Sequence, residues 1–230
     1  MRAIYVILLF VFLLSGCATV APVSNENATL PRQVVTIPDN ATPVQLNKDC
    51  RVYISDMSDR WTVSATAPDF LVEERAHKRE LNLKKQGKNV DKNQLLEVAR
   101  KQLQNEELFV YNALSQAYLT VDLVRLKEGG RPPSEKVVRQ STVYGVQSLQ
   151  SEGGVTDVSS SVNNSHLAGV THATKFNASY RQFEQPIEFS GIIGFQKPYW
   201  LFLYYTDFLK DVDDMPQMEQ LMEAIIFEFK

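Results

Sequence analysis

Hydrophobic and polar positions alternate in two different ways along this chain, and the change of period divides it into two halves. Between residues 66 and 127 apolar residues recur at spacings of three, four and seven, which is typical of amphipathic helices. From Val137 onward apolar and polar residues alternate with a period of two, which is typical of strands. The pattern predicts an α+β fold, with a helical segment followed by an antiparallel β-meander and a short C-terminal helix.

Two helices are predicted in the first half, after a short strand at residues 51–55. The first is expected from Pro68 to about Gln86, and the second from about Asn93 to about Ser115. Residues 117–127 continue the apolar stripe of the second helix, so periodicity alone leaves a helix open there. Because the same residues are rich in β-branched and aromatic side chains, we expect a strand.

Five strands are predicted in the second half, before a last helix that starts near Asp214. They are residues 137–149, 155–162, 167–183, 187–195 and 199–206. Glycine, asparagine and proline between these segments fit the turns of a meander. The last of the five is apolar on both faces, which predicts a place in the middle of the sheet.

The first seventeen residues follow a third pattern. The apolar run from Ile4 to Leu14 is shorter than the roughly 20 residues that cross a bilayer as a helix, and it suits the core of a signal peptide. It ends in the sequence Leu14-Ser15-Gly16-Cys17, which resembles the bacterial lipobox. The alternative interpretation is an ordinary secretory signal with an incidental cysteine.

This resemblance implies a lipid anchor. It implies cleavage before Cys17, a diacylglycerol on its thiol and a further acyl chain, such as palmitate, on its amine. Two or more acyl chains hold a protein stably at a membrane where one is marginal. Because Ala18 rather than aspartate follows the cysteine, the resemblance further implies the outer membrane, with the domain facing the periplasm.

The expected organisation has three parts. Residues 1–16 are the signal peptide, residues 17–49 are the lipidated cysteine and a flexible linker, and residues 50–230 are a single α+β domain. The linker is predicted from composition, because residues 18–49 contain four prolines and no aromatic residue.

Charge and motifs argue against several functional classes. The chain carries 24 basic and 27 acidic side chains, so it lacks the basic excess expected of a nucleic-acid-binding domain. Gly-x-Ser-x-Gly, Cys-x-x-Cys, His-Glu-x-x-His and a phosphate-binding glycine loop are all absent from the sequence. His166 and His172 would lie roughly 20 Å apart on one strand, too far to bind one metal. We therefore predict no catalytic residue, no metal site and no cofactor.

Two rival functions remain open. An aromatic cluster that includes Trp200 and Tyr204 is compatible with a glycan- or lipid-binding module. A hydrolase is the other rival, using Cys50 or an acid pair that the sequence does not reveal. Cys50 adjoins a predicted strand, so we expect its side chain to be buried rather than reactive.

The segment from Ser141 to Tyr180 is the most informative part of the mature chain. Its only charged residues are Glu152, Asp157 and Lys175. A strand with so few charges invites pairing with another chain, since natural sheet edges usually carry lysines. The segment is interpreted as a solvated sheet face, as an interface with a partner or with copies of itself, or as a membrane-inserting hairpin. Insertion is the least favoured, because alternate positions are not consistently apolar.

We select the interface, with Ser160, Asn164 and Lys175 as the candidate interaction residues. The predicted function is that of an outer-membrane-anchored lipoprotein whose periplasmic domain is a non-catalytic interaction or assembly component of the cell envelope. Its expected partners are the membrane, through the lipid, and an envelope protein or a second copy of itself.

Overall fold

A computed structural model describes residues 36–55 and 58–230. The predicted signal peptide, Cys17 and most of the predicted linker lie outside the described residues. Ile37–Lys230 forms one compact unit.

Four α-helices lie in the described part of the chain. They are α1 (Asp69–Lys85), α2 (Lys92–Leu103), α3 (Glu135–Ser148) and α4 (Asp214–Ala224). The N-cap of α2 is Asp91, whose carboxylate accepts a hydrogen bond from the Asn93 backbone N–H at 2.8 Å. The first helix lies where the sequence predicts it.

Within the described residues, ten strands form two antiparallel sheets. They are β1 (Thr42–Asn47), β2 (Cys50–Ile54), β3 (Thr62–Ser64), β4 (Leu108–Tyr111), β5 (Tyr118–Arg125), β6 (Val155–Ser165), β7 (His172–Gln182), β8 (Gln185–Gln196), β9 (Tyr199–Asp207) and β10 (Ile226–Phe229). The smaller sheet has the order β1-β2-β10, and the larger has the order β3-β4-β5-β9-β8-β7-β6. The α+β prediction is confirmed, and so is the central position of the apolar strand β9.

The two faces of the larger sheet are covered by different layers. One face packs against the smaller sheet and α4 in a core that includes Val52, Leu203, Tyr205 and Met222. The opposite face is covered in two places. The first is under α1 and α2, through Leu71, Phe109 and Tyr118, and the second is under α3, through Val138, Phe176 and Trp200. The larger sheet is therefore the middle layer of the domain.

The predicted strand at 137–149 is wrong, because this segment is helix α3. Its buried side chains Val138, Thr142 and Val146 recur every four residues, so its buried positions satisfy the helical period as well as the period of two. Ser134, after two prolines, precedes the first helical residue, and its carbonyl accepts from the Val137 and Val138 N–H groups at 2.9 and 3.0 Å.

The predicted extent of the second helix is also wrong. Helix α2 ends at Leu103, and residues 108–111 form β4. The run Leu-Phe-Val-Tyr favours a strand, which outweighs its place on the helical stripe. The predicted strand at 117–127 is confirmed as β5, Tyr118–Arg125.

The predicted linker extends too far, because residues 42–47 form strand β1. This strand pairs with β2 along its length and buries Leu46. Pairing at a sheet edge depends on backbone hydrogen bonds, which composition does not report.

Candidate interaction site

Strand β6 is a free edge of the larger sheet. It has eleven residues, pairs with β7 on one side only, and contains one ionisable side chain, Asp157. The edge at the other end of the sheet is β3, which is only three residues long. Because short edges and charged edges resist pairing with a further strand, β6 is the edge that is open to it.

A bulge protects the first part of β6 but not the remainder. The register with β7 shifts between Thr156 and Ser159, and Asp157 there has a φ of 54°. From Ser159 to Ser165 the register is regular. Bulges bend a strand and interrupt its pairing, so the accessible part of the edge is this uncharged run of seven residues.

The first turns of helix α3 lie beside the accessible run. A shallow depression of about 550 Å³ separates the two elements, lined by Glu135, Lys136, Arg139, Val162, Asn163 and Asn164. The Arg139 guanidinium donates to the Asn164 Oδ1 at 2.9 Å and to the Val162 carbonyl at 3.5 Å. The uncharged edge is therefore flanked by side chains of both signs.

The structure separates the three predicted interaction residues. Ser160 and Asn164 are exposed and share one face of β6, because they lie an even number of residues apart. Lys175 is on β7 opposite Asn163, so it faces the other side of the sheet. There its ammonium lies 3.1 Å from a Glu219 carboxylate oxygen and 3.2 Å from one of Glu223, both on α4.

The two glutamates keep Lys175 in its positively charged form. Partial burial lowers the pKa of Lys175, but the hydrogen bonds that its ammonium donates to the two glutamates, together with their negative charges, outweigh that effect, and the net pKa is raised. Lys175 therefore ties α4 to the sheet instead of protecting the edge.

Cys50 is completely buried, as the sequence predicts. Its thiol lies 3.8 Å from the Arg51 carbonyl. Burial, followed by the negative charges of Glu107 and Asp49, raises the pKa of the Cys50 thiol to about 12. The thiolate is the nucleophilic form, so this environment suppresses nucleophilic chemistry at neutral pH.

The aromatic cluster is part of the core. Trp200 is 7% exposed and packs edge-on against Phe195, with ring centroids 5.7 Å apart. The half-buried Tyr204 packs against Phe176 and Phe189, at 6.0 and 5.7 Å. Trp200 is therefore a core residue and does not form an exposed stacking platform.

An acid pair that the sequence did not reveal lies on the face of the sheet beside α1 and α2. The Glu107 backbone N–H donates to the Val121 carbonyl at 2.9 Å, and this contact brings Glu106 close to Asp122. Burial raises the pKa of Glu106 to about 7, and the Asp122 charge adds to the effect while Arg75 opposes it. Burial and the Glu107 charge raise the pKa of Asp122 to about 6. The one signal in the sequence is an aspartate within the apolar strand Tyr118–Arg125.

The two strand histidines do not meet as ligands of a metal. His166 follows β6, and His172 begins β7 after an intervening loop. Within residues 36–55 and 58–230, no group of three or more His, Cys, Asp or Glu side chains is arranged to hold a metal ion. The same part of the chain contains no helix with the length and apolarity needed to span a membrane.

Comparisons with known proteins give weak structural likenesses. No family model and no curated protein matches the chain. A crystal structure of PA94, a protein of unknown function from Pseudomonas aeruginosa, matches with a TM-score of 0.37 and 10% identity, over 80% of this chain and 94% of that one. The solution structure of PsbP from the cyanobacterium Synechocystis matches with a TM-score of 0.40 and 6% identity, over 86% of this chain and 99% of that one. At these TM-scores neither likeness carries a functional argument.

Proposed function

We propose that this protein is a lipid-anchored component of the bacterial outer membrane whose periplasmic domain binds a partner by strand addition at β6. The observation that carries the proposal is the accessible run Ser159–Ser165, a long sheet edge without charge. In strand addition, an extended segment gains backbone hydrogen bonds along the edge, and pockets beside the edge select its side chains. The depression next to α3 supplies such a pocket.

The sequence of the first seventeen residues supports the anchor. Leu14-Ser15-Gly16-Cys17 resembles a lipobox, and Cys17 would carry the lipid. Attachment to a membrane confines the domain to a thin layer, which raises its effective concentration toward a partner in the same layer. A modest edge interaction is then sufficient for assembly.

The environments of the rival sites support a non-catalytic role. The Cys50 thiol has a pKa raised to about 12, and Trp200 is inside the core. The depression lies beside β6, whereas the Glu106–Asp122 pair lies beside α1 and α2. We therefore assign the main interaction to the edge.

The test is to add charge to the edge. In the full-length protein, Ser160→Lys and Asn164→Lys together should reduce partner binding at least tenfold, because an incoming strand would have to desolvate two ammonium groups. Both positions are exposed, so the free energy of unfolding should change by less than about 0.5 kcal/mol for each substitution. The measurement is the yield of adducts from a photo-crosslinking residue placed at Ser161.

The matched control adds the same charge to exposed positions of α2, as Gln94→Lys and Gln102→Lys. This control should keep the adducts. If the edge variant folds and its adducts persist at the control level, the partner binds elsewhere. An adduct with the mass of two copies would identify the partner as a second copy of this chain.

A further inference from the structure

Helices cover only part of the sheet face that lies opposite the small sheet. One part of this face is covered by α1 and α2, and another part is covered by α3. Where the two parts meet, four aromatic side chains of β7, β8 and β9 are only half-buried: Tyr180, Phe189, Phe202 and Tyr204. Tyr180 and Phe189 touch both covered parts. We call these four side chains the aromatic strip.

The rings of the aromatic strip form one continuous surface. The Tyr204 ring centroid lies 6.0 Å from that of Phe202 and 5.7 Å from that of Phe189. The Phe189 centroid lies 6.4 Å from that of Tyr180. Aromatic faces carry negative charge density and attract cations, so a half-exposed row of rings is a surface on which a cation can lie.

Two acids lie at one end of the strip. Asp122 is the register partner of Phe202, so the two side chains share one face of the sheet. Glu106 and Asp122 both lie near the Tyr204 hydroxyl, because their charges add to burial in raising the pKa of Tyr204.

Acids also lie at the other end of the strip. Glu152 and Glu74 are near the Tyr180 hydroxyl, because their charges add to the effects of burial and of Tyr118 in raising the pKa of Tyr180. Glu74 pairs with Lys78, one turn further along α1. The strip therefore has carboxyl groups at both of its ends.

Each end also holds a buried acceptor without a donor. In the part of the chain that the structure describes, the Glu106 Oε2 has no hydrogen-bond partner, and neither has the Gln182 Oε1. Gln182 is 8% exposed, lies two residues after Tyr180 on the same face of β7, and pairs with Val155 shortly after Glu152. A buried acceptor without a partner costs free energy, so both atoms favour a ligand that brings N–H donors.

Acids outnumber bases around the strip. Four carboxyl groups face two bases there, namely Glu74, Glu106, Asp122 and Glu152 against Arg75 and Lys78. Arg75 lies between the two ends, since Tyr118 and then Glu74, Glu106 and Glu152 raise its pKa against the effect of burial. The side chain of Glu107 instead bonds to Asn47 of β1. When the acids are ionised, an excess of two negative charges remains, which a dication would match.

We propose that the aromatic strip binds a linear aliphatic diamine, at a site separate from the β6 edge. One ammonium contacts the Glu106–Asp122 end, the other contacts the Glu152–Gln182 end, and the methylene chain lies across the rings. An ammonium group has three N–H donors and no acceptor, which suits unpaired carboxylate and amide oxygens. The two ends lie on opposite sides of Phe189, so two ammonium groups are needed to reach both.

The test is a calorimetric titration of the full-length protein in a non-ionic detergent. It is done at pH 8, above the pKa values of about 7 for Glu106 and about 6 for Asp122. The probes are octamethylenediamine, the shorter trimethylenediamine and the dianion octanedioate. We expect octamethylenediamine to bind at least tenfold more tightly than either of the others, because it alone combines the matching charge with the length to reach both ends.

Substitutions separate the contributions to binding of octamethylenediamine. Glu106→Gln should weaken it at least fivefold by removing an attractive charge, and Arg75→Gln should strengthen it at least twofold by removing a repulsive one. Phe189→Leu should weaken it at least threefold, because leucine keeps the apolar bulk without a ring face. The matched control Glu97→Gln, at an exposed position of α2, should leave the affinity unchanged. Thermal melts establish that each variant is folded.

Four outcomes would overturn the inference. Tighter binding of octanedioate would make Arg75, and not the acids, the determinant of binding. Equal binding of the two diamines would exclude the two-ended mode. An unchanged affinity in folded Glu106→Gln would place the diamine elsewhere on the acidic surface. If no probe bound at millimolar concentration, the strip would be a solvated sheet face without a ligand.

Discussion

At the scale of single residues, burial of charge has the largest consequence on the sheet face beside α1 and α2. Glu106 and Asp122 are carboxylic acids that the fold holds in a poorly solvated place close together. Burial favours the neutral form of an acid, and a neighbouring negative charge favours it further. The folded state therefore binds protons here that the unfolded chain has already released.

This difference predicts that the domain loses stability as the pH rises. The folded pKa of Glu106, about 7, lies above the unfolded value of about 4.3, so its contribution is complete at low pH and declines between about pH 4 and 7. Glu106→Gln should flatten this decline and stabilise the protein at pH 8 by about 1 to 3 kcal/mol. Thermal melts at pH 5 and pH 8 measure both effects, with Glu97→Gln, an exposed residue of α2, as the control. Lower stability of Glu106→Gln at pH 8 would mean that attraction to Arg75 outweighs burial.

Cys50 gives a second prediction at the same scale. Its thiol is buried and has a pKa raised to about 12, so a thiol reagent should modify it slowly in the folded protein and quickly after denaturation. Time courses of labelling in buffer and in guanidinium measure the two rates. Fast labelling of the native protein, with a midpoint below the unperturbed value of about 8.5, would restore the nucleophile hypothesis.

At the scale of elements, the sequence predicted strands that depend on local pattern but not the pairing between distant strands. Alternation and turn residues were sufficient to predict β6 to β9, and two apolar faces predicted that β9 is central. Helix α3 was missed because Val138, Thr142 and Val146 fit both periods. The order of strands was beyond the sequence, since β5 pairs with β9 about eighty residues later. The pocket beside β6 was missed because α3, which forms one of its walls, was predicted to be a strand.

The loop before β7 gives a prediction about contacts between elements. Gly169 has a φ of 82°, and a Cβ there would lie 1.8 Å from the Phe227 carbonyl oxygen on β10. Gly129 has a φ of 77°, with no atom within 4 Å of such a Cβ. Gly169→Ala should therefore destabilise the domain by at least about 2 kcal/mol more than Gly129→Ala, which carries only the backbone strain of about 1 kcal/mol. Chemical denaturation of the two variants measures the difference, and equal losses would show that β10 moves aside freely.

At the scale of the whole molecule, the two edges of the larger sheet differ. Strand β6 has eleven residues, whereas β3 at the other edge has three. Because short edges resist pairing with a further strand, β6 is the edge that would present itself to neighbouring proteins.

The proposed anchor predicts how the whole protein distributes in cells. Cys17→Ser should abolish lipidation and release the protein from outer membranes, because an uncleaved, unacylated precursor lacks the acyl chains that hold it there. Membrane fractionation after a salt wash, with the mass of the mature protein, measures the change. A variant that stays with outer membranes would show that something other than the lipid retains it.

The small sheet also determines when the domain can complete its folding during synthesis. Its middle strand, β2, has β10 as one of its two neighbours, and the Tyr53 hydroxyl donates to Glu228, 175 residues later, at 2.9 Å. A chain that emerges amino-terminus first has to wait for its last few residues before this sheet closes. The core between the small sheet and the larger sheet is therefore complete only once β10 has been synthesised.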